Sequence, residues 1–161
     1  MTYDSPPDPS PARVTADADV LAADLLVGGP ARAALDHVRE HSWLTLVASD
    51  HLLDDAEAVI ESLGDAELAR DWRARIEREC ELVSHPSDDN PALAAAYRGG
   101  AMHLLTLDDS LLSASAGAAL RGRVETSPRQ PRAFDALFDA ESLYREVVGG
   151  EYSGPDRDPR G

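Results

Sequence analysis

The chain has 161 residues and is 43% hydrophobic, enough for one domain with a real core, but aromatics are only 5%, so that core must rest on Leu, Ala and Val. Thirty acidic residues against 15 basic ones leave a formal charge of −15, and every base is arginine because the chain has no lysine. The single cysteine, Cys80, excludes an intramolecular disulfide and a zinc site resting on paired thiolates.

No apolar run approaches the ~20 residues that cross a bilayer, and the N-terminus lacks a charged-then-apolar leader. A soluble, cytoplasmic protein without a membrane partner is expected. Acid excess without lysine also points to a halophilic, archaeal source, since at about 1 M salt the Debye length is only ~3 Å and self-repulsion is screened. A GC-rich genome exchanges Lys for Arg as well; the acid excess favours salt.

In chain order, residues 1–12 are proline-rich and acidic and read as a disordered tail. "RVTA" (13–16) is the first candidate strand. Gly28, Gly29 and Pro30 punctuate the chain before a helix near 31–41. "HSWLTLVAS" (41–49) holds a second strand. From Ser49 a helix follows, with Leu52, Leu53, Ala56, Val59, Ile60 and Leu63 at a 3.6-residue period. Asp65 is placed to cap the next helix, where Leu68, Trp72 and Ile76 recur every four residues and arginines alternate with acids on a solvated face.

"CELVS" (80–84) is a third, short strand. Asp89 or Asn90 caps a helix that has Pro91 in its first turn. "HLLTL" (103–107) is a fourth strand and "GRVET" (122–126) a fifth. A last helix spans roughly 131–148, and residues 149–161 read as a second tail, leaving a domain of about 13–148. Strands alternating with helices predict an α/β fold, a three-layer αβα sandwich around a parallel sheet of four to five strands. In such sheets, sites form outside the carboxyl ends of the strands.

Acids stand at those ends. Asp17 and Asp19 follow the first strand, Asp54 and Asp55 lie on the helix after the second, Asp89 opens the helix before the fourth, and Asp108 and Asp109 follow the fourth. Carboxylates that converge repel one another unless a cation offsets them, and Mg²⁺ or Mn²⁺ accepts such oxygens while keeping several waters. The competing reading is chance placement in a chain this acidic, together with helix capping. His37, His41, His51, His85 and His103 show no metal-ligand spacing and read as surface or packing residues. No Ser-His or Cys-His constellation is visible, and no Gly-rich phosphate loop is present.

The run "DDNPALAAAYRGGAMHLLTLDDSLL" (88–112) carries an acidic pair, helix, Gly-Ala, apolar strand, Thr-x-Asp and Leu-Leu without a gap. With "VTADADVL" (14–21), "LVASDHLLDDAEAVI" (46–60) and "VETSPRQPRAFDALF" (124–138), it resembles the PIN domain, a family of metal-dependent nucleases. The resemblance covers about 13–140. It implies Asp17, Asp55, Asp89 and Asp108 as ligands of Mg²⁺ or Mn²⁺, Thr106 as the residue that helps position the site, and hydrolysis of a phosphodiester, with RNA as the substrate.

Three departures stand out: Asp19 where the family has Asn, Asp55 where it has Glu, and Leu107 where it has Gly. The resemblance also opens alternatives, namely a catalytically weak module that binds RNA or a protein, or a toxin paired with an antitoxin protein. A homodimer is compatible with it. Arg121, Arg123, Arg129 and Arg132 form the only basic stretch that could face a phosphate backbone.

Overall fold

The computed structural model describes residues 6–113 and 126–161. Their elements run β1 (Ser10–Ala16), α1 (Ala18–Leu26), α2 (Gly29–Arg39), β2 (Thr45–Ser49), α3 (Asp50–Leu63), α4 (Ala66–Glu79), β3 (Cys80–Val83), α5 (Pro91–Arg98), β4 (Ala101–Leu105), α6 (Asp109–Leu112), β5 (Ser127–Arg129), α7 (Pro131–Leu137) and α8 (Ala140–Val147). The five strands form one sheet in the order β3-β2-β1-β4-β5, and every pairing is parallel. The expected α/β sandwich therefore forms.

Strand order follows from the connections. The helices α1 to α4 carry the chain stepwise from β1 to β2 to β3. Then α5 carries it back past β1 to β4. Right-handed crossovers put connections of opposite direction on opposite faces. Accordingly α5 packs over β4, β2 and β1, while α1 packs against α2 and α3, and α7 against α2. Strands covered on both faces read as continuous apolar runs, and Val14, Val47, Leu104 and Leu105 are fully buried. Helix α3 buries Leu52, Leu53, Ala56 and Ile60, and α4 buries Ala69, Trp72 and Ile76. At the end of α5 the layers touch: a Cβ on Gly99 would stand 2.2 Å from Val47 Cγ1, so only glycine fits there.

Several boundaries differ from the sequence reading. β1 starts at Ser10 inside the expected N-terminal tail, with Ser10 N–H donating to Gly100 O at 2.9 Å. Pro11 is tolerated because the β1–β4 register shifts between Ser10 and Val14, and β2 pairs only from Arg13 onward. β4 begins and ends two residues earlier than expected. Most of the expected strand at 122–126 lies outside the described residues, as do Arg121 and Arg123; the described fifth strand is Ser127–Arg129. The last helix is two. Phe138 is extended, and Asp139 caps α8 by accepting from Ser142 N–H at 3.2 Å and from its hydroxyl at 2.9 Å.

The expected C-terminal tail is packed onto the domain. Tyr152 Oη lies 2.6 Å from Nε2 of buried His41, whose Nδ1 must donate to His37 O at 2.7 Å. Asp156 accepts from Ser42 N–H at 2.7 Å, Arg157 donates to His41 O at 2.8 Å, and Arg160 makes a two-pronged pair with Asp36 at 2.7 and 2.8 Å. Low hydrophobicity suggested disorder, but this segment is held by polar bonds rather than by apolar burial. Asp36 also accepts from Arg39, which neutralises the buried Asp24.

Candidate functional site

The winding reverses between β1 and β4, so their carboxyl ends flank the position where open α/β sheets hold ligands. Asp17 and Thr106 are the residues that leave those two strands. The N–H of Asp17 donates to Leu105 O at 2.8 Å, and that of Thr106 to Arg129 O at 2.9 Å, so both backbones are locked to a neighbouring strand.

The side chains are linked in turn. Thr106 is fully buried; its hydroxyl donates to Asp17 Oδ2 at 2.9 Å and accepts from Asp108 N–H at 3.0 Å. The other Asp17 oxygen accepts from Ala18 N–H at 2.8 Å as the cap of α1. Asp108 caps α6, with Oδ1 accepting from Ser110 N–H at 2.9 Å and from its hydroxyl at 2.7 Å. One hydroxyl thus joins the first-strand acid to the segment carrying the fourth-strand acid.

Asp19 stands in the same field. Burial pushes its carboxyl up, Asp17 pushes it further, the N–H groups of Val20 and Leu107 oppose this, and Asp108 adds to the rise. The Asp108 carboxyl is held below the ordinary range, first by the Ser110 hydroxyl and then by the backbone N–H groups. No arginine forms an ion pair with Asp17, Asp19 or Asp108 among the described residues.

Asp55 and Asp89 do not join this group. Both are exposed. Asp55 sits on the outer surface of α3 beside Asp54, which pairs with Arg73 at 2.7 Å. Asp89 lies in the turn before α5, its N–H donating to Pro86 O at 3.3 Å, while Asn90 caps that helix through Leu93 N–H at 3.1 Å. No hydrogen bond or ion pair joins either acid to Asp17, Thr106 or Asp108. No group of three or more acidic, histidine or cysteine side chains able to hold a metal ion occurs among the described residues, so the expected four-acid cup is not found there.

No preformed metal centre is present among the described residues, so the donor set bears only on an ion that keeps most of its own waters. Asp17, Asp19 and Asp108 are hard oxygen donors without an ion-pair partner among the described residues, and Mg²⁺ is commonly held by one or two carboxylates plus its own waters rather than by a protein cage. A site of that sparse type suits these residues; an enclosed four-ligand centre does not.

The structure also contains a Ser-His pair that the sequence did not reveal. Ser49, at the end of β2, accepts from Leu52 N–H at 3.1 Å and lies 2.7 Å from His85 Nε2. His85 Nδ1 is 2.8 Å from Pro86 O, so it carries the proton, and the serine hydroxyl donates to Nε2. Both residues are buried, and the exposed His51 ring stands 5.1 Å from that of His85. The partners are 36 residues apart, and nothing local marks them as neighbours.

A family of unknown function, DUF7384, matches residues 8–160. The chain belongs to this family. No curated protein and no solved structure matches it. The PIN resemblance is thereby corrected: the match across nearly the whole chain is to DUF7384 and not to a PIN family. The reason is visible in the geometry. An acid or serine after each strand, followed by a helix, is what N-capping requires in any α/β protein, and Asp17, Ser49 and Asp108 are all caps in this DUF7384 chain. No described helix is long and apolar enough to cross a membrane.

Proposed function

We propose that the crevice between the carboxyl ends of β1 and β4 binds a divalent cation, Mg²⁺ or Mn²⁺, and supports metal-dependent hydrolysis of phosphodiesters, with RNA as the substrate. The observation that carries this reading is the group of three carboxylates at the switch point, Asp17, Asp19 and Asp108, which no arginine offsets in an ion pair among the described residues. Retaining such repulsion without a counterion costs stability, and a hard cation removes the cost.

Asp17 and Asp108 would hold the ion, with Asp19 contributing charge through its waters. Thr106 orients the Asp17 carboxylate, and the N–H of Leu107 does the same for Asp19. The bound ion would supply Lewis acidity and neutralise charge developing on the phosphate.

The test has two arms. Mg²⁺ or Mn²⁺ should raise the melting temperature of the native chain but not of Asp17→Asn with Asp108→Asn. The native chain should also cut single-stranded RNA in a metal-dependent way that EDTA abolishes. Ion binding without cleavage of either single-stranded or structured RNA would sink the hydrolase reading and leave a binding module.

A further inference from the structure

A second cleft lies on the other side of β4. It measures about 290 Å³ and is bounded by the β4–β5 edge of the sheet and by helices α7 and α8. Its walls are mainly apolar: Phe134, Phe138 and Leu143 come from the two helices, and His103 and Arg129 from the strands. Leu105 pairs with Arg129 and His103 with Ser127, so alternation puts His103 and Arg129 on one face of the sheet. The His103 ring meets Phe134 edge-on at 5.3 Å, and Phe134 lies 5.6 Å from Phe138.

The polar groups here are unfinished. His103 Nδ1 and Arg129 Nε are out of contact with solvent and have no hydrogen-bond partner. The Arg129 guanidinium makes no ion pair among the described residues. Buried polar groups without partners are rare in folded proteins, and each calls for an explanation such as a missing ligand. Thr15 Oγ1 and Trp72 Nε1 also lack partners, but they lie in the closed core, whereas His103 and Arg129 stand on adjacent strands and line one cleft.

We infer that this cleft is a binding site for a small organic monocarboxylate with an aromatic or branched apolar body. The carboxylate accepts from Arg129, which presents planar paired donors, and His103 supplies a second donor in the tautomer that carries the proton on Nδ1. The apolar body lies against Phe134, Phe138 and Leu143. A single negative charge is specified by the surroundings. Burial and the adjacent Arg129 push His103 down to about 4, so it is neutral at pH 7, and among the described residues Arg129 is the one cation that lines the cleft. Asp139 and Glu146 line the same cleft and repel any anion, a dianion such as a phosphate monoester about twice as strongly as a monocarboxylate. The site uses none of the acids at the β1–β4 crevice and does not depend on the hydrolase reading.

The test is a titration of the 161-residue chain with benzoate, benzamide and phenyl phosphate, followed by ligand-observed NMR and by the His103 ring resonances. Benzoate should bind and shift His103, and benzamide, which has the same shape without the charge, should bind about tenfold or more weakly. Arg129→Gln should weaken benzoate to the same extent, whereas Asp17→Asn with Asp108→Asn should leave it unchanged. Equal binding of benzoate and benzamide, absence of benzoate binding at millimolar concentration, or preference for phenyl phosphate would each overturn the inference. The benzamide comparison uses only the native chain, so it stands even where Arg129→Gln fails to fold.

Discussion

The carboxyl end of β2 and the carboxyl ends of β1 and β4 use the same device, a capping side chain between a strand and a helix, yet they leave different residues of charge. At β2, Ser49 is neutral, buried and fully bonded: it accepts from Leu52, donates to His85, and His85 in turn donates to Pro86. Nothing there needs a further partner. At β1 and β4, Asp17 and Asp108 cap with carboxylates, Thr106 ties them together, and Asp19 adds a third charge. A carboxylate and a serine both satisfy a helix N-terminus, but only the carboxylate leaves repulsion that an external cation can relieve. The difference separates a structural strand end from a candidate functional one within a single sheet.

The largest effect should come from removing the charges at β1 and β4. Asp17→Asn with Asp108→Asn is expected to weaken the divalent-ion response by ~100-fold or more, since even outer-shell partners of metal ligands are worth 10–100-fold. Mg²⁺-dependent melting shifts check this. Preservation of the full shift in the double variant would erase the contrast between the two strand ends.

Next in size is a purely structural loss at β2. Ser49→Ala leaves His85 Nε2 and Leu52 N–H buried without their partner and should cost about 1–3 kcal/mol of stability. Chemical denaturation measures it, and the ion response of the folded variant should match the native chain.

Thr106→Val tests the link between the two acids. It removes a donor from Asp17 and an acceptor from Asp108 N–H, so about 1–2 kcal/mol of stability and about tenfold in ion affinity should go together. Loss of stability alone would make Thr106 a cap and nothing more.

The smallest effect concerns Asp19. Its carboxyl lies above the ordinary value of 3.8 in the folded chain because of burial and then Asp17. A raised acid binds protons more tightly when folded, so its effect on stability is most favourable below 3.8 and is lost as pH rises through the folded value. At neutral pH in EDTA, Asp19→Asn should therefore melt higher by about 1–3 °C. With Mg²⁺ present that advantage should shrink, because the ion offsets the native charge. Equal melting of the two chains in EDTA at pH 7 would remove Asp19 from the acidic group.

Much of the fold was legible along the chain. Leu52, Ala56 and Ile60 announced α3, Asp65 and Ser49 its neighbouring caps, and Val47 and Leu104 the buried strands. Those signals are local: a period and a cap depend on residues within two turns of each other. The break at Phe138 was also local and could have been found from Asp139 and Ser142, a capping pair inside what reads as one helix. The packed C-terminal segment was not legible, because Tyr152, Asp156 and Arg160 find His41, Ser42 and Asp36 over 110 residues away.

For the candidate site, residue types and strand order singled out Asp17 and Asp108 as acids that follow two buried strands, whereas Thr106 was implied only by the PIN resemblance. The same reasoning wrongly gathered Asp55 and Asp89, since any acid after a strand looks alike in one dimension. Which strand ends become neighbours is set by the order β3-β2-β1-β4-β5, and that order comes from crossover handedness and sheet packing rather than from any short segment. Periodicity and capping chemistry were therefore written in the chain itself. The meeting of Asp17 with Thr106, the closure of Ser49 onto His85, and the placing of Arg129 Nε without a partner near His103 were decided only when distant strands came together, because hydrogen bonds and charges act over a few ångströms of space and not along the sequence.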